Sequence, residues 1–143
     1  MIEAFEPEIT ILYCGRTLAA NCYLPEGWMA GANYKARYIK LPCSSKIEPL
    51  NIMKLFERGI DGVLVIACPH QDCQFLFGDI RAESRIRYVH RLLDEVGLGG
   101  TRVSIISRTN LSQSELQVLA EDLAAVVRQL GPNPMKKSLA GSA

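Results

Sequence analysis

The sequence predicts a small α/β domain of three layers, doubly wound about a four-stranded parallel sheet. Three observations lead there. Short runs rich in β-branched and aromatic residues alternate along the chain with stretches whose apolar residues recur at helical spacing. One run, Gly62-Val-Leu-Val-Ile-Ala-Cys68, is apolar throughout without alternation, the pattern of a central parallel strand covered on both faces. The length, 143 residues, provides for one core of ordinary size and not for two large domains.

Taken in order, residues 8–14 read as the first strand. Ile9, Ile11, Leu12 and Tyr13 supply the strand-forming side chains, Cys14 closes the run and Gly15 stops it. A short helix is expected within residues 17–32, although Pro25, Gly27 and Gly31 interrupt it. Residues 36–41 form a second strand that ends at Pro42-Cys43. Pro49, suited to a first helical turn, opens a helix over 49–58 that Gly59 stops. The apolar run 62–68 is the third strand. Ile86, Val89, Leu93 and Val96 mark a helix over about 80–96, ended by Gly97. Residues 102–107 give the fourth strand. Ser112 followed by Glu115 is a capping-box pattern, opening a helix whose stripe runs through Leu116, Leu119, Leu123, Val126, Val127 and Leu130. Gly131 and Pro132 end it. The domain is thus expected to span 1–131, with 132–143 a disordered polar tail.

Composition narrows the function classes. Hydrophobic residues make up 48% and charged residues 22%, as in a folded globular chain. Sixteen Lys and Arg against 15 Asp and Glu leave a net charge of +1, so no overall field attracts nucleic acid or an anionic membrane. The longest stretch free of charge, 62–71, is too short to cross a bilayer. The acidic start, Met1-Ile-Glu-Ala-Phe-Glu-Pro, lacks the positive charge of a signal peptide, and a cytoplasmic location is expected. No phosphate-binding loop, dinucleotide glycine fingerprint or Ser-His-Asp set is visible, and two histidines leave little for acid–base catalysis.

Five cysteines are the unusual feature: Cys14, Cys22, Cys43, Cys68 and Cys73. An odd number in a reducing compartment argues against a disulfide framework. Cys14, Cys43 and Cys68 each end a predicted parallel strand, and ligands gather outside the carboxyl ends of such strands. Cys73 follows Cys68 on the next loop. Four thiolates at one point repel unless a metal supplies positive charge, so the constellation asks for a metal or an iron–sulfur cluster; each cysteine taken singly also fits a small buried hydrophobe. The Cys68-x4-Cys73 spacing suits iron–sulfur proteins better than zinc sites. Cys22 has no strand end to place it and reads as a spare or buried thiol.

Three blocks extend this reading: Pro42-Cys43-Ser44-Ser45-Lys46-Ile47-Glu48; Gly59-Ile60-Asp61-Gly62 leading to Cys68-Pro69-x3-Cys73; and Gly78-x3-Ala82-Glu83-x-Arg85. In order and separation they resemble the delta subunit of methyl-viologen-reducing hydrogenase, over most of the chain from the first strand to about Val103. The resemblance implies a protein with a [2Fe-2S] cluster. It also implies electron transfer from a hydrogenase or other dehydrogenase to a flavin-containing protein like that of heterodisulfide reductase, or the reverse. By motif, Cys43, Cys68 and Cys73 match the family's cysteines, and Cys14 matches the one ending its first strand. Many members carry a further cysteine three residues after that position, where this chain has Thr17 and offers Cys22 instead. Cys14 is preferred over Cys22 as the fourth ligand.

Other residues are read more plainly. His70 is expected to be a solvated loop side chain, although it lies between two of the cysteines, and His90 a structural or surface residue of its helix. Asp61 is assigned to turn chemistry at the strand entrance, at the sheet end opposite the cysteines. Arg16, Lys46 and Arg81 lie near the cysteine loops in sequence and read as solvated charge, or as partners of a cluster's negative charge. Trp28 and Met29, in the 24–32 loop, and the segment 75–77 are candidates for an apolar docking patch. A structural zinc domain for protein interaction and a thiol-based redox enzyme stand as alternatives to the electron-transfer role. The enzyme reading lacks both a Cys-x-x-Cys motif and a placed base.

Overall fold

A computed structural model describes residues 5–14, 17–20, 22, 24, 27–31, 33–41, 48–67 and 78–135. Its elements are β1 (Glu8–Cys14), β2 (Trp28–Ala30), β3 (Lys35–Leu41), α1 (Pro49–Glu57), β4 (Gly62–Ala67), α2 (Gly78–Glu95), β5 (Val103–Ser107) and α3 (Gln113–Leu130). A single 3-10 turn, Gly100–Arg102, leads into β5. The sheet order is β2-β3-β1-β4-β5. β1 pairs in parallel with both β3 and β4, and β4 with β5, while β2 runs antiparallel to β3.

The sheet therefore has five strands, not four. The fifth, β2, lies within 17–32, where a weak helix was expected; no α-helix occurs among the described residues there. Gly27 takes φ +86°, a left-handed turn that glycine adopts without strain and that interrupts a helix. Gly31 then makes the tight connection to β3. Its N–H donates to the Tyr34 carbonyl at 2.7 Å, and a Cβ at this position would run into the Tyr34 ring. Three residues cannot show a period. Only pairing with β3 makes them a strand.

Strand side chains alternate into two clusters. Ile9, Ile11 and Tyr13 of β1, with Leu64 and Ile66 of β4, pack with Leu116, Ala120 and Leu123 of α3. Leu12, Val63 and Val65 point the other way, onto Ile52 and Phe56 of α1 and Ile86, Val89 and Leu93 of α2. All six residues of β4 are buried, which is why its sequence shows no polar face. No helix among the described residues is long and apolar enough to cross a membrane.

The amino ends of the strands are tied by a polar network. Asp61 is fully buried; its Oδ2 accepts the Glu8 N–H at 2.8 Å and its Oδ1 the Asn133 N–H at 2.8 Å. The buried Arg102 donates to the carbonyls of Leu98 at 2.7 Å, Asp61 at 3.1 Å and Gly131 at 2.9 Å. Burial pushes its guanidinium below the usual range, and the nearby Asp61 works the other way. Asp61 does lie opposite the sheet end that carries Cys14, but it clamps three segments rather than forming a simple turn. Asn133, placed in the expected tail, is buried and donates from Nδ2 to the carbonyls of Phe56 and Ile60, both at 2.7 Å. The described residues run past Gly131 to Met135, and 136–143 lie outside them.

Ser112 caps α3 as the sequence indicates, its Oγ accepting the Glu115 N–H at 3.2 Å. Ser112→Ala leaves that amide without its side-chain acceptor, and urea denaturation is expected to show a loss of about 1 kcal/mol.

Candidate metal centre

β1 delivers Cys14 to its carboxyl end, where the residue is 4% exposed. In register, Cys14 lies opposite Leu41, the last residue of β3; on the other side Tyr13 lies opposite Ile66, one residue before the end of β4. Because these strands are parallel, their carboxyl ends share one sheet edge. The chain continues from that edge after Leu41, two residues before Cys43, and after Ala67, one residue before Cys68.

Cys43, Cys68 and Cys73 lie outside the described residues, as do His70, Arg16, Lys46 and 75–77, and the Arg81 side chain is not described. Among the described residues, no three His, Cys, Asp or Glu side chains come together to hold a metal ion.

The backbone leaving Cys14 is anchored. Thr17 is fully buried and its Oγ1 donates to the Cys14 carbonyl at 2.6 Å. The Thr17 carbonyl in turn accepts the Leu111 N–H at 2.9 Å, and Ala19 donates to the Leu111 carbonyl at 2.8 Å. The segment after β1 is thereby fastened to the residues that follow β5. The hydroxyl of Thr17 thus has a defined task beside Cys14, one that a sequence reading of the position as a missing cysteine does not reveal.

Cys22 is placed differently. Its N–H donates to the Ala19 carbonyl at 3.0 Å, and its partly buried side chain packs against the cluster under α3. Burial pushes the thiol above its usual range. Tyr38 belongs to the same surroundings, and burial, followed by the influence of Tyr34 and Cys22, pushes its phenol up to about 12. The folded chain holds this proton more tightly than an unfolded chain, in which the phenol titrates near 10.0. Stability is therefore expected to fall as pH rises from about 10 to 12 and to be unaffected by this group at neutral pH. Thermal denaturation across that range should show a shallower fall for Tyr38→Phe than for the unaltered chain.

The other candidates fall as follows. His90 lies on α2 with Nδ1 3.5 Å from Asp94 Oδ2, its side chain half-exposed, in agreement with a structural or surface role. Trp28 lies on β2 and is 43% exposed, with the Arg37 guanidinium 5.0 Å from its ring centre.

Comparison with known proteins gives this placement its context. The iron–sulfur subunit of the vhu F420-non-reducing hydrogenase of Methanocaldococcus jannaschii is 32% identical over 100 residues, covering 70% of this chain and 75% of that protein. The iron–sulfur subunit of the F420-non-reducing hydrogenase of Archaeoglobus profundus is 29% identical over 137 residues, 92% of this chain and 96% of that protein. One subunit of the ferredoxin:CoB-CoM heterodisulfide reductase of Methanosarcina mazei contains a segment, 12% of its length, that is 27% identical to 66% of this chain. The family described as "Methyl-viologen-reducing hydrogenase, delta subunit" matches residues 10–131, and the chain belongs to that family.

Proposed function

We propose that this protein is an iron–sulfur electron-transfer subunit, with one [2Fe-2S] cluster held by Cys14, Cys43, Cys68 and Cys73. It relays electrons between a hydrogenase or other dehydrogenase, on one side, and a flavin-containing protein like that of heterodisulfide reductase, on the other. The observation that carries the reading is the position of Cys14 at the carboxyl edge of the sheet, between the strands whose continuations lead to Cys43 and Cys68. Thiolates are soft ligands suited to iron–sulfur chemistry, and a set drawn from the continuations of three strands would be held by the sheet rather than by one loop. The relatives' names support the reading. Several are iron–sulfur subunits of hydrogenases, and another belongs to a heterodisulfide reductase, where a comparable segment is part of one longer chain.

Such a cluster, when bound, takes up and releases single electrons. The residues of this chain hold it: Cys14 by its thiolate, and Thr17 by fixing the Cys14 backbone. The proposal asks for no catalytic residue, since the substrate chemistry belongs to the partner proteins. Iron and acid-labile sulfide analysis of anaerobically purified protein, with a visible spectrum, is the test. About two irons and two sulfides per chain are expected for a [2Fe-2S] centre. Zinc without sulfide would favour a structural zinc domain, and metal-free protein with a reactive thiol would favour thiol chemistry.

A further inference from the structure

We propose that the sheet face around Trp28 and Arg37 docks an acidic segment of a protein partner, with a carboxylate seated on Arg37. The face is defined by register. Trp28 of β2, Arg37 of β3 and Thr10 of β1 lie opposite one another in a row across three strands. Ala36 points into the cluster under α3, so by alternation Arg37 points to the other face. There it lies over Trp28, at the sheet's outer strand.

This row carries hydrogen-bonding capacity that is unused among the described residues. Arg37 Nε is buried with no acceptor, and so is the Oγ1 of the fully buried Thr10 beside it. Such groups are rare in folded proteins and call for an explanation. Charge supplies the next step. Lys35, two residues from Arg37 and hence on the same face, lies opposite Glu8, whereas Arg37 has only the neutral Trp28 and Thr10 across from it. Glu8, Trp28, Ala30 and Lys35 line a cleft of about 230 Å³ next to it. Among the described residues of this row and cleft, two cations stand against one carboxylate, on a chain whose net charge is only +1. Tryptophan and arginine are both among the residue types enriched where protein partners anchor, and a guanidinium favours a carboxylate through paired hydrogen bonds. An acidic protein segment satisfies both. That the segment belongs to a member of the electron-transfer complex rests on the function proposed above; the surface itself does not.

Trp28 is the single tryptophan of the chain, so its fluorescence reports this face alone. Because Arg37 Nε is shielded, a carboxylate reaches it only as neighbouring side chains shift, and the indole should respond. Titration of the full chain with tryptophan-free poly-L-glutamate at low salt is expected to give a saturable change in emission. Arg37→Gln should weaken it about tenfold, the effect of losing a charge-assisted hydrogen bond. An equal response from poly-L-lysine, or from the Arg37→Gln chain, would overturn the proposal. In the native complex, Arg37→Glu should lose the partner proteins while the isolated variant keeps its melting temperature and metal content. Partner proteins retained at the unaltered ratio would also overturn it. Absence of iron from unaltered and variant chains alike would count against the proposed function, and the glutamate titration would still decide the surface.

Discussion

If the proposed cluster is bound, replacing Cys14, Cys43, Cys68 or Cys73 singly by serine is expected to abolish its visible absorption, or to distort it beyond recognition, with most of the iron lost. A serine hydroxyl remains protonated near neutral pH and is a hard ligand, so it does not replace a thiolate bridging protein to iron. Cys22→Ser is expected to leave spectrum and iron content nearly unchanged, because its side chain packs against the apolar cluster under α3. Anaerobic purification, iron analysis and visible or electron paramagnetic resonance spectra decide the matter. Loss of the cluster in Cys22→Ser, with retention in Cys14→Ser, would reverse the assignment of the fourth ligand. Retention in all four single variants would remove the cysteine set altogether.

The second large effect is expected at the other end of the sheet. Arg102→Met should cost roughly 3–5 kcal/mol in urea denaturation, the range for breaking a buried charged network. The arginine is 1% exposed, and its removal leaves the carbonyls of Leu98, Asp61 and Gly131 without the donors they have now. It also leaves the Asp61 carboxylate buried without the nearby guanidinium. Against a total stability of about 5–15 kcal/mol, such a loss is a large share. Arg102→Lys should rescue little, since one ammonium does not reproduce a planar fork that spans three carbonyls. Because this network lies opposite Cys14, any Arg102→Met protein that stays folded should keep its cluster spectrum. A loss below about 1 kcal/mol would show that the network is only a surface-like set of bonds.

The same contrast between the two sheet ends separates what was legible in the residues from what was not. β1 and β4 were readable because the side chains along them report local surroundings: β1 is rich in β-branched and aromatic residues, and β4, buried on both faces, is an unbroken apolar run. α1 and α3 were readable from their termini, with Pro49 at the start of one and Ser112 with Glu115 at the start of the other. The family, too, was visible in ordered cysteine, glycine and proline blocks, since such motifs are local in sequence. β2 was missed because its three residues owe their conformation to hydrogen bonds with β3, not to their own preferences.

The Asp61, Arg102 and Asn133 clamp was missed for a related reason. Arg102 bonds Asp61 across 41 residues, and Asn133 does so across 72. An aspartate before a glycine looks like a turn, and an asparagine between prolines looks like a tail, until the fold encloses them and their polar atoms must find partners or incur the cost of burial. By itself, then, the sequence determined the α/β character, the strand that ends on Cys14 and the family. The fifth strand, the clamp at the amino end of the sheet and the Trp28–Arg37 face were decided only by the tertiary structure. Each depends on contacts between residues whose one-dimensional neighbours say nothing about their partners.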